Sequence, residues 1–558
     1  MADFACDFAV VGAGSAGCVV AARLSEDSDN EVILFEAGPS DDEFPSIYVP
    51  SEAALLQKTQ MDWQYETVPQ KMSQKGFKKH VSSWPRGKVI GGCCAHNDML
   101  WVRGHADDFD SWERLGADGW GWKGVLPYFL KLENWKCDIY RDSPLHNEGG
   151  PITITNHPDY RTEASKCFVK SGTELGYNII DINGGQNIGF GDHPANIDEN
   201  GKRSSCGSAY VKPAERRPNF KVLTRAHVIK IDIVNKQAVG IRFIQDGKEK
   251  TCRVRKEVIV AGGSIQSPQL LMLSGIGPRA HLENHGITCI ADLPVGQNLQ
   301  DHIAVQLKVD VEKRDSVLTL ETNLASFNGT EASAFFKTGH EPETTWPDAQ
   351  IGAVSNFYSF GIDEPDCFPL NSKRFYPNMG YDMDREGRYR RAGMTFIPIV
   401  LHPRSDGEIT LASNDPLQPP LIDPRYLEDP FDVKVLVEAI RMVKRCTETK
   451  IMKTIGAKLI PLKMPDSHNA EFSDKNLEDF VRHFAFTLFH PVGTCKMGRM
   501  EDHTTVVDPQ LRVHGISGLR VVDASIMPHL TSGNTNAPSI MIGEKGADII
   551  RTTQHSKL

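Results

Sequence analysis

The chain has 558 residues, 40% of them hydrophobic and 24% charged, with a formal net charge of −10. This is ordinary globular composition, in a chain long enough for several domains. An acidic balance without a long basic run argues against nucleic acid as a partner. No apolar stretch approaches the ~18 residues that a membrane span needs.

The twelve cysteines show no zinc-type pairing, so buried free thiols are expected in place of a disulfide framework. The acidic start Met1-Ala2-Asp3-Phe4-Ala5-Cys6-Asp7 runs straight into apolar chain, and neither a secretory nor a mitochondrial leader is expected. Phe8-Ala9-Val10-Val11 predicts a buried parallel strand. Gly12-Ala13-Gly14-Ser15-Ala16-Gly17 follows, then an Ala-rich helix through Leu24, a second strand at Val32-Ile33-Leu34-Phe35, and Glu36-Ala37. In such a unit Gly12 permits the tight turn, Gly14 lets a pyrophosphate approach the backbone, and Gly17 lets helix and strand pack closely. The helix amino terminus, with Ser15 beside it, turns unpaired N–H groups and a partial positive charge toward the phosphates. Glu36 is placed to accept hydrogen bonds from a ribose diol. An ADP moiety is the expected ligand.

From Gly38 to Pro85 the chain is irregular, and Trp63, Tyr65 and Trp84 read either as cover for a cofactor or as loop packing. In the stretch Trp84 to Asn97, Gly91 and Gly92 let backbone run close along a ligand, while Arg86 and Lys88 are placed to face phosphate. Ala106 to Glu133 reads as helical. Strands are expected at 220–224, 228–231, 238–243 and 256–261, the last ending at Gly262-Gly263. A helix follows from Ser267, with Pro268 near its first turn and Gly275 as its stop. Between Val309 and Pro424, strand-like runs alternate with polar loops and predict an antiparallel sheet. Helices at 432–446 and 476–484, a core strand at 518–524 and a closing helix at 539–550 complete the pattern. Nucleotide-binding elements thus come from the beginning, middle and end of the chain.

The Gly12/Gly14/Gly17 turn with Glu36, the stretch Gly87 to Asn97, and Gly263 to Gly277 are three parts of one pattern. Its fourth part is His490-Pro491-Val492-Gly493-Thr494 with Val522-Asp523-Ala524-Ser525 and Asn534-Thr535-Asn536. Together they resemble the glucose–methanol–choline (GMC) oxidoreductase family from Asp7 to Arg551, and the choline oxidase and alcohol oxidase branch in particular. The resemblance implies an α/β, Rossmann-like FAD-binding domain (1–155, 201–308 and 490–558). Interleaved with it is an α+β substrate domain built on an antiparallel sheet (156–200 and 309–489). Cofactor contacts are expected at Gly12, Gly14, Ser15, Gly17, Glu36, Ala37, Arg86, Gly91, Gly92, His96, Asn97, Val228, Ala261, Gly262, Asp523, Ala524, Asn534 and Thr535, and no metal is expected.

Alcohol oxidation needs a group that takes the hydroxyl proton while hydride leaves the α-carbon. His490 precedes a rigid Pro-Val-Gly turn, and Asn534 carries an amide able to donate and to accept. The resemblance assigns His490 as proton acceptor and Asn534 as its partner. The pair His96-Asn97 resembles the choline oxidase branch, where that histidine is bonded covalently to the flavin. A histidyl-FAD at His96 is expected, the alternative being a histidine that hydrogen-bonds the flavin or fills the pocket. Cys93-Cys94 stands where a small Gly/Ser/Thr pair is usual and reads as packing or as a cysteinyl contact. In that branch a glutamate two residues past the His of an Asp-His pair faces a quaternary ammonium. Here Asp301-His302 is followed by Ile303-Ala304, so an uncharged primary alcohol is expected in place of choline, since burying a trimethylammonium unpaired is costly. Phe357, Tyr358, Phe396 and Phe486 either line an apolar pocket or belong to the core.

The expected reaction takes a primary alcohol to the aldehyde, with O₂ as final acceptor giving hydrogen peroxide and protonated His490 supplying a charge that helps O₂ reduction. Alternatives are a dehydrogenase with another acceptor, a hydroxynitrile lyase on the same fold, or a flavin-binding protein without turnover. Ser556-Lys557-Leu558 matches a receptor-read peroxisomal address. In a eukaryotic source this places the chain in the peroxisome with the import receptor as partner, and otherwise in the cytoplasm. A homo-oligomer is compatible with the sequence. Asn328-Gly329-Thr330 fits a glycosylation sequon but carries little weight without a leader.

Overall fold

The apolar runs on either side of the first glycine turn pair with each other. β1 (Phe4–Val11) and β2 (Val32–Phe35) are parallel, Phe8 opposite Val32 and Val11 opposite Phe35, with α1 (Ser15–Leu24) between them. This is a computed structural model, and it describes residues 2–156, 161–317, 330–356, 392–462, 464 and 472–555. Phe357, Tyr358, Asn328, Gly329 and Ser556-Lys557-Leu558 lie outside the described residues.

In chain order there follow α2 (Ala106–Arg114), α3 (Trp122–Leu132), α4 (Glu163–Glu174) and β3 (Gly189–Asp192). Next come β4 (Phe220–Leu223), β5 (His227–Val234), β6 (Gln237–Gln245), β7 (Lys248–Val260) and α5 (Gly263–Leu273). The chain continues through β8 (Ile303–Ala304), β9 (Leu307–Asp310), β10 (Ala332–Phe336), β11 (Ala349–Val354) and β12 (Gly393–Val400). It closes with α6 (Pro430–Glu448), β13 (Lys458–Leu459), α7 (Asp474–Phe484), β14 (Phe486–Thr487), β15 (Leu519–Val521) and α8 (Asn536–His555).

One sheet has the order β4-β2-β1-β7-β6-β5, with β15 added on β7. β7 does two jobs: its first half pairs antiparallel with β6, and its second half lies parallel to β1 and β15. The parallel core strands β1 and β2 are buried, as a sheet covered on both faces requires. The other sheet, β13-β9-β12-β11-β10-β3, is antiparallel throughout, and β8 joins it between β12 and β14. After β3, its next strand in the chain begins at Ile303. α8 packs across α1, and its buried Glu544 accepts from Arg23 Nη2 at 2.8 Å, Lys131 Nζ at 2.8 Å and Tyr210 Oη at 2.8 Å.

Two local expectations are corrected. The 106–133 segment is two helices, because the chain turns through Gly116 and Gly119, both at positive φ. And α5 begins four residues before Ser267, which puts Pro268 in its interior. A proline there frees the carbonyl four residues back. That carbonyl, Ser264 O, accepts instead from Thr494 Oγ1 at 2.7 Å. Among the described residues no helix is long and apolar enough to cross a membrane.

At Gly17 a Cβ would stand 1.9 Å from the Gly12 carbonyl oxygen. Gly17→Ala is therefore expected to destabilise the fold by about 1–3 kcal/mol, the usual cost of overpacking. It should also lower the yield of cofactor-loaded protein. Urea unfolding alongside flavin content per chain checks both.

Candidate active site

The first turn meets a second one. Gly12 has φ +101°, and a Cβ there would lie 2.4 Å from Ala261 O, so only glycine lets the end of β1 lie against the end of β7. Gly91 N donates to Ala13 O at 2.8 Å, and a Cβ on Gly92 would lie 2.6 Å from Gly14 Cα. Where these turns touch, nothing lies within 4 Å of a Cβ on Gly14, which opens onto a cavity of about 430 Å³. Of the cofactor residues expected from the sequence, only Gly17 and Gly91 stand back from the cavity wall, holding the two turns in place behind it. The buried Glu36 carboxylate accepts from Ala13 N at 2.9 Å and Gly38 N at 2.8 Å, and burial pushes its pKa up to about 7. One lone pair remains on each of its oxygens. Asp523 is saturated: Gly263 N and Ser267 Oγ donate to one oxygen and Ser525 N and Oγ to the other. Its carboxylate frames the wall between β15 and α5 and offers no free acceptor.

At the opposite end, the chain from Thr487 to Val492 runs beside Gln300–Ile303. Ile303 pairs with Thr487, and Gln300 pairs with Val492. The extra residues between these pairings bulge, with Phe489 at φ +64°, and the bulge carries His490 into the cavity wall. His490 N donates to Asp301 Oδ1 at 2.7 Å, while Asp301 Oδ2 accepts from Thr487 Oγ1 at 2.6 Å and from Tyr426 Oη. Asn534 follows Gly533, where any Cβ would lie 2.4 Å from Val102 Cγ1. Its loop is anchored by Ser532 N and Oγ on Asp108 at 2.6 and 2.8 Å.

The histidine pair beneath the wall fixes where the protons are. His302 Nε2 lies 3.0 Å from Leu401 O, and His302 Nδ1 lies 2.9 Å from His490 Nδ1. Burial holds His302 well below its usual pKa, and burial together with the Arg86 charge holds His490 down to about 3, so both rings are neutral. A carbonyl oxygen only accepts, so the single proton of His302 is on Nε2. Its Nδ1 then accepts, and the proton of His490 must be on Nδ1. That leaves a lone pair on His490 Nε2, toward which Asn534 Nδ2 points at 3.2 Å. A rotated Asn534 amide would set two lone pairs against each other further along the chain. The arrangement is a proton acceptor aimed at the cavity beside an amide donor. The resting ring is neutral, so a charge on His490 would arise only once it has taken the hydroxyl proton, and Arg86 is the nearby cation that lowers its pKa.

Arg86 lines the cavity with Nε and Nη2 buried and, among the described residues, unpartnered, while Nη1 reaches Cys93 Sγ at 3.8 Å. His96 lines it too, 8% exposed, neutral because burial lowers its pKa to about 4, and with Nε2 unpartnered. Orphaned donors, an open glycine and a half-used ribose acceptor fit a flavin dinucleotide, whose phosphates and ring oxygens would complete them. Lys88 lies elsewhere, its Nζ 4.6 Å from the ring centre of Trp63. Trp63 and Tyr65 stack at 5.8 Å and line the cavity, whereas Trp84 is fully buried behind it. Cys93 lines the cavity and Cys94 is buried, taking a hydrogen bond from Asn536 Nδ2 at 3.5 Å. Phe396 and Phe486 are core; alternation along β12 turns Phe396 toward Phe168 and its neighbours Ile397 and Ile399 toward the cavity. Sequence reasoning missed the contacts of Asp301 and His302 and the place of Asp98 on the cavity wall. The first two were read only for the glutamate absent after them, and Asp98 was passed over beside His96-Asn97.

Family models described as GMC oxidoreductase match residues 6–304 and 403–543. The alcohol dehydrogenase [acceptor] of Pseudomonas putida is 36% identical over 98% of this chain and 95% of its own length. Mouse mitochondrial choline dehydrogenase is 36% identical over 98% of this chain and 89% of its own. Among solved structures, the formate oxidase of Aspergillus oryzae RIB40, studied for modification of its FAD, aligns over 100% of both chains with TM-score 0.85 and 27% identity. With the glycine cradle and the histidine pair in one cavity, the chain belongs to the GMC oxidoreductase family and is an FAD-dependent oxidoreductase acting on alcohol-type substrates.

Proposed function

We propose that the chain oxidises a primary alcohol to the aldehyde, with residues 1–155, 201–308 and 490–558 holding the cofactor and 156–200 with 309–489 shaping the substrate side. FAD, when bound, accepts the hydride and hands two electrons on, to O₂ in this reading, yielding hydrogen peroxide. The observation that carries the reading is the unprotonated His490 Nε2, whose lone pair faces only the Asn534 amide, a donor that can turn to the substrate oxygen. An alcohol hydroxyl donates to it, and the proton moves to Nε2 as hydride leaves the α-carbon. The imidazolium then keeps its Nδ1 proton on His302 Nδ1, and Asn534 Nδ2 donates to the substrate oxygen while that oxygen carries negative charge. Asp301 holds the His490 backbone and so its approach angle. O₂ as acceptor is supported by the fixed Arg86 cation beside His490 and by the likeness to an oxidase. A dehydrogenase using another acceptor is the second reading, favoured by relatives named as dehydrogenases. We also propose a covalent bond from His96 to the cofactor, in which Nε2 would replace one C–H of a ring methyl, the proton being lost and the electron pair taken up by the flavin itself and passed to the final acceptor; the neutral ring and unpartnered Nε2 support it.

Anaerobic addition of a panel of primary alcohols should bleach the flavin band, and admitting air should restore it within a turnover time. Bleaching with slow recovery in air but fast recovery with a quinone selects the dehydrogenase. Colour that persists while cyanohydrins are cleaved removes the redox reading.

His490→Ala is expected to lower kcat by about 10²–10⁴-fold. His302→Phe, which cannot accept the Nδ1 proton, should cost about 10–100-fold with flavin content intact. Because the neutral ring is the active form and protonates only near pH 3, kcat/KM should show no acid limb from His490 between pH 5 and 8.

Acid precipitation should leave yellow colour in the pellet for the native chain. For His96→Gln it should leave a colourless pellet under a yellow supernatant.

A further inference from the structure

Among the described residues the cavity wall carries three carboxylates, and only two are engaged. Glu36 and Asp523 are tied to backbone and hydroxyl donors of the fold. Asp98 lines the same cavity, and among the described residues its carboxylate has no hydrogen bond or ion pair. Its place is nevertheless rigid. Asn97 Oδ1 takes Met99 N at 3.0 Å and Arg203 Nη1 at 2.9 Å, Met99 sits at φ +59°, and Asn196 N binds Met99 O at 2.9 Å. The segment on both sides of Asp98 is held by the protein while its side chain is left for something else.

Arg203 is the charged group that Asp98 feels. Burial raises the Asp98 pKa to about 6 and the Arg203 charge pulls it down, so the group is ionised at neutral pH. Arg203 makes no ion pair with it, since its Nε and Nη1 go to the carbonyls of Ile47, Cys94 and Asn97. Among the described residues of the substrate side, Gln350 Nε2 spends one of its two protons on Ser333 Oγ at 3.2 Å, and Ile397, Ile399, Leu488 and Phe489 are apolar. A carboxylate fixed among such walls is costly unless a cation meets it. A neutral hydroxyl would satisfy a lone pair but leave the charge.

We propose that Asp98 is a specificity-determining residue that pairs with a protonated amine of the substrate, so that the preferred substrate is an amino alcohol bearing N–H groups. This rests on the alcohol-oxidation reading and replaces the uncharged alcohol expected from the sequence. The carboxylate absent after His302 is supplied from the loop that follows His96.

The test compares ω-amino alcohols of two to six carbons with n-alkanols of matched length on the FAD-loaded enzyme, following anaerobic flavin bleaching. The native chain should show at least about tenfold higher kcat/KM for the amine at its best length, and Asp98→Asn should bring that ratio toward one while Asp98→Glu retains part of it. In parallel, n-butylamine is titrated against the flavin spectrum, and its Kd should rise about tenfold or more in Asp98→Asn. A native ratio at or below one, a ratio unchanged in Asp98→Asn, or an amine Kd insensitive to the substitution overturns the proposal. Choline, which carries charge without N–H, should fall below the amines; parity with them overturns the hydrogen-bonding part. If neither alcohol series bleaches the flavin, it is the oxidation reading that fails, and the amine titration still decides for or against Asp98.

Discussion

The chemistry of this cavity starts from a backbone carbonyl, Leu401 O. It can only accept, so it fixes the proton of His302, which fixes that of His490, which leaves the lone pair of His490 Nε2 facing the Asn534 amide. Leu401 directly follows β12, and His302 directly precedes β8, which pairs with β12 and β14. The tautomer of the proposed base is thus set by the antiparallel sheet, while the dinucleotide cradle is set by the other. Neither layer alone makes the site.

The dinucleotide half was legible because its signal is local. A strand, a glycine turn, a helix and a second strand within the first 36 residues impose their geometry through steric demands that neighbours in sequence can read, and Glu36 closes on the turn it follows. His490 and Asn534 were legible only through resemblance, since each depends on a loop whose shape comes from remote partners: Asp301 for the first, Asp108 for the second.

What sequence reasoning could not reach has one physical form: a group whose meaning depends on a distant partner or on having none. Pro268 belongs inside a helix because Thr494 satisfies the carbonyl it frees, that of Ser264, 230 residues before Thr494. Phe396 is core and Ile397 is wall because one strand alternates between two environments. His302 matters through contacts at separations of 99 and 188 residues. No periodicity or motif encodes these.

Satisfaction of polar groups then sorts the wall into frame and function. A saturated carboxylate such as Asp523 has no acceptor left for a ligand and holds strand and helix together. Among the described residues, Arg86 Nε and Nη2, His96 Nε2, Ser264 Oγ and Asp98 are left wanting, and His490 Nε2 meets only an amide; their complements differ, with an acceptor for Arg86, a covalent or hydrogen-bonded ring for His96, a hydroxyl for His490 and a cation for Asp98. Their signs are arranged consistently. The cation sits where it keeps the base neutral, and the free anion sits on a loop clamped by an arginine that does not pair with it. A ligand that answered only one of these groups would leave the others unpaired in a cavity with few competing donors. Selection by such a cavity follows from the whole set of unmet demands, with the glycine cradle deciding only that a dinucleotide can lie against it.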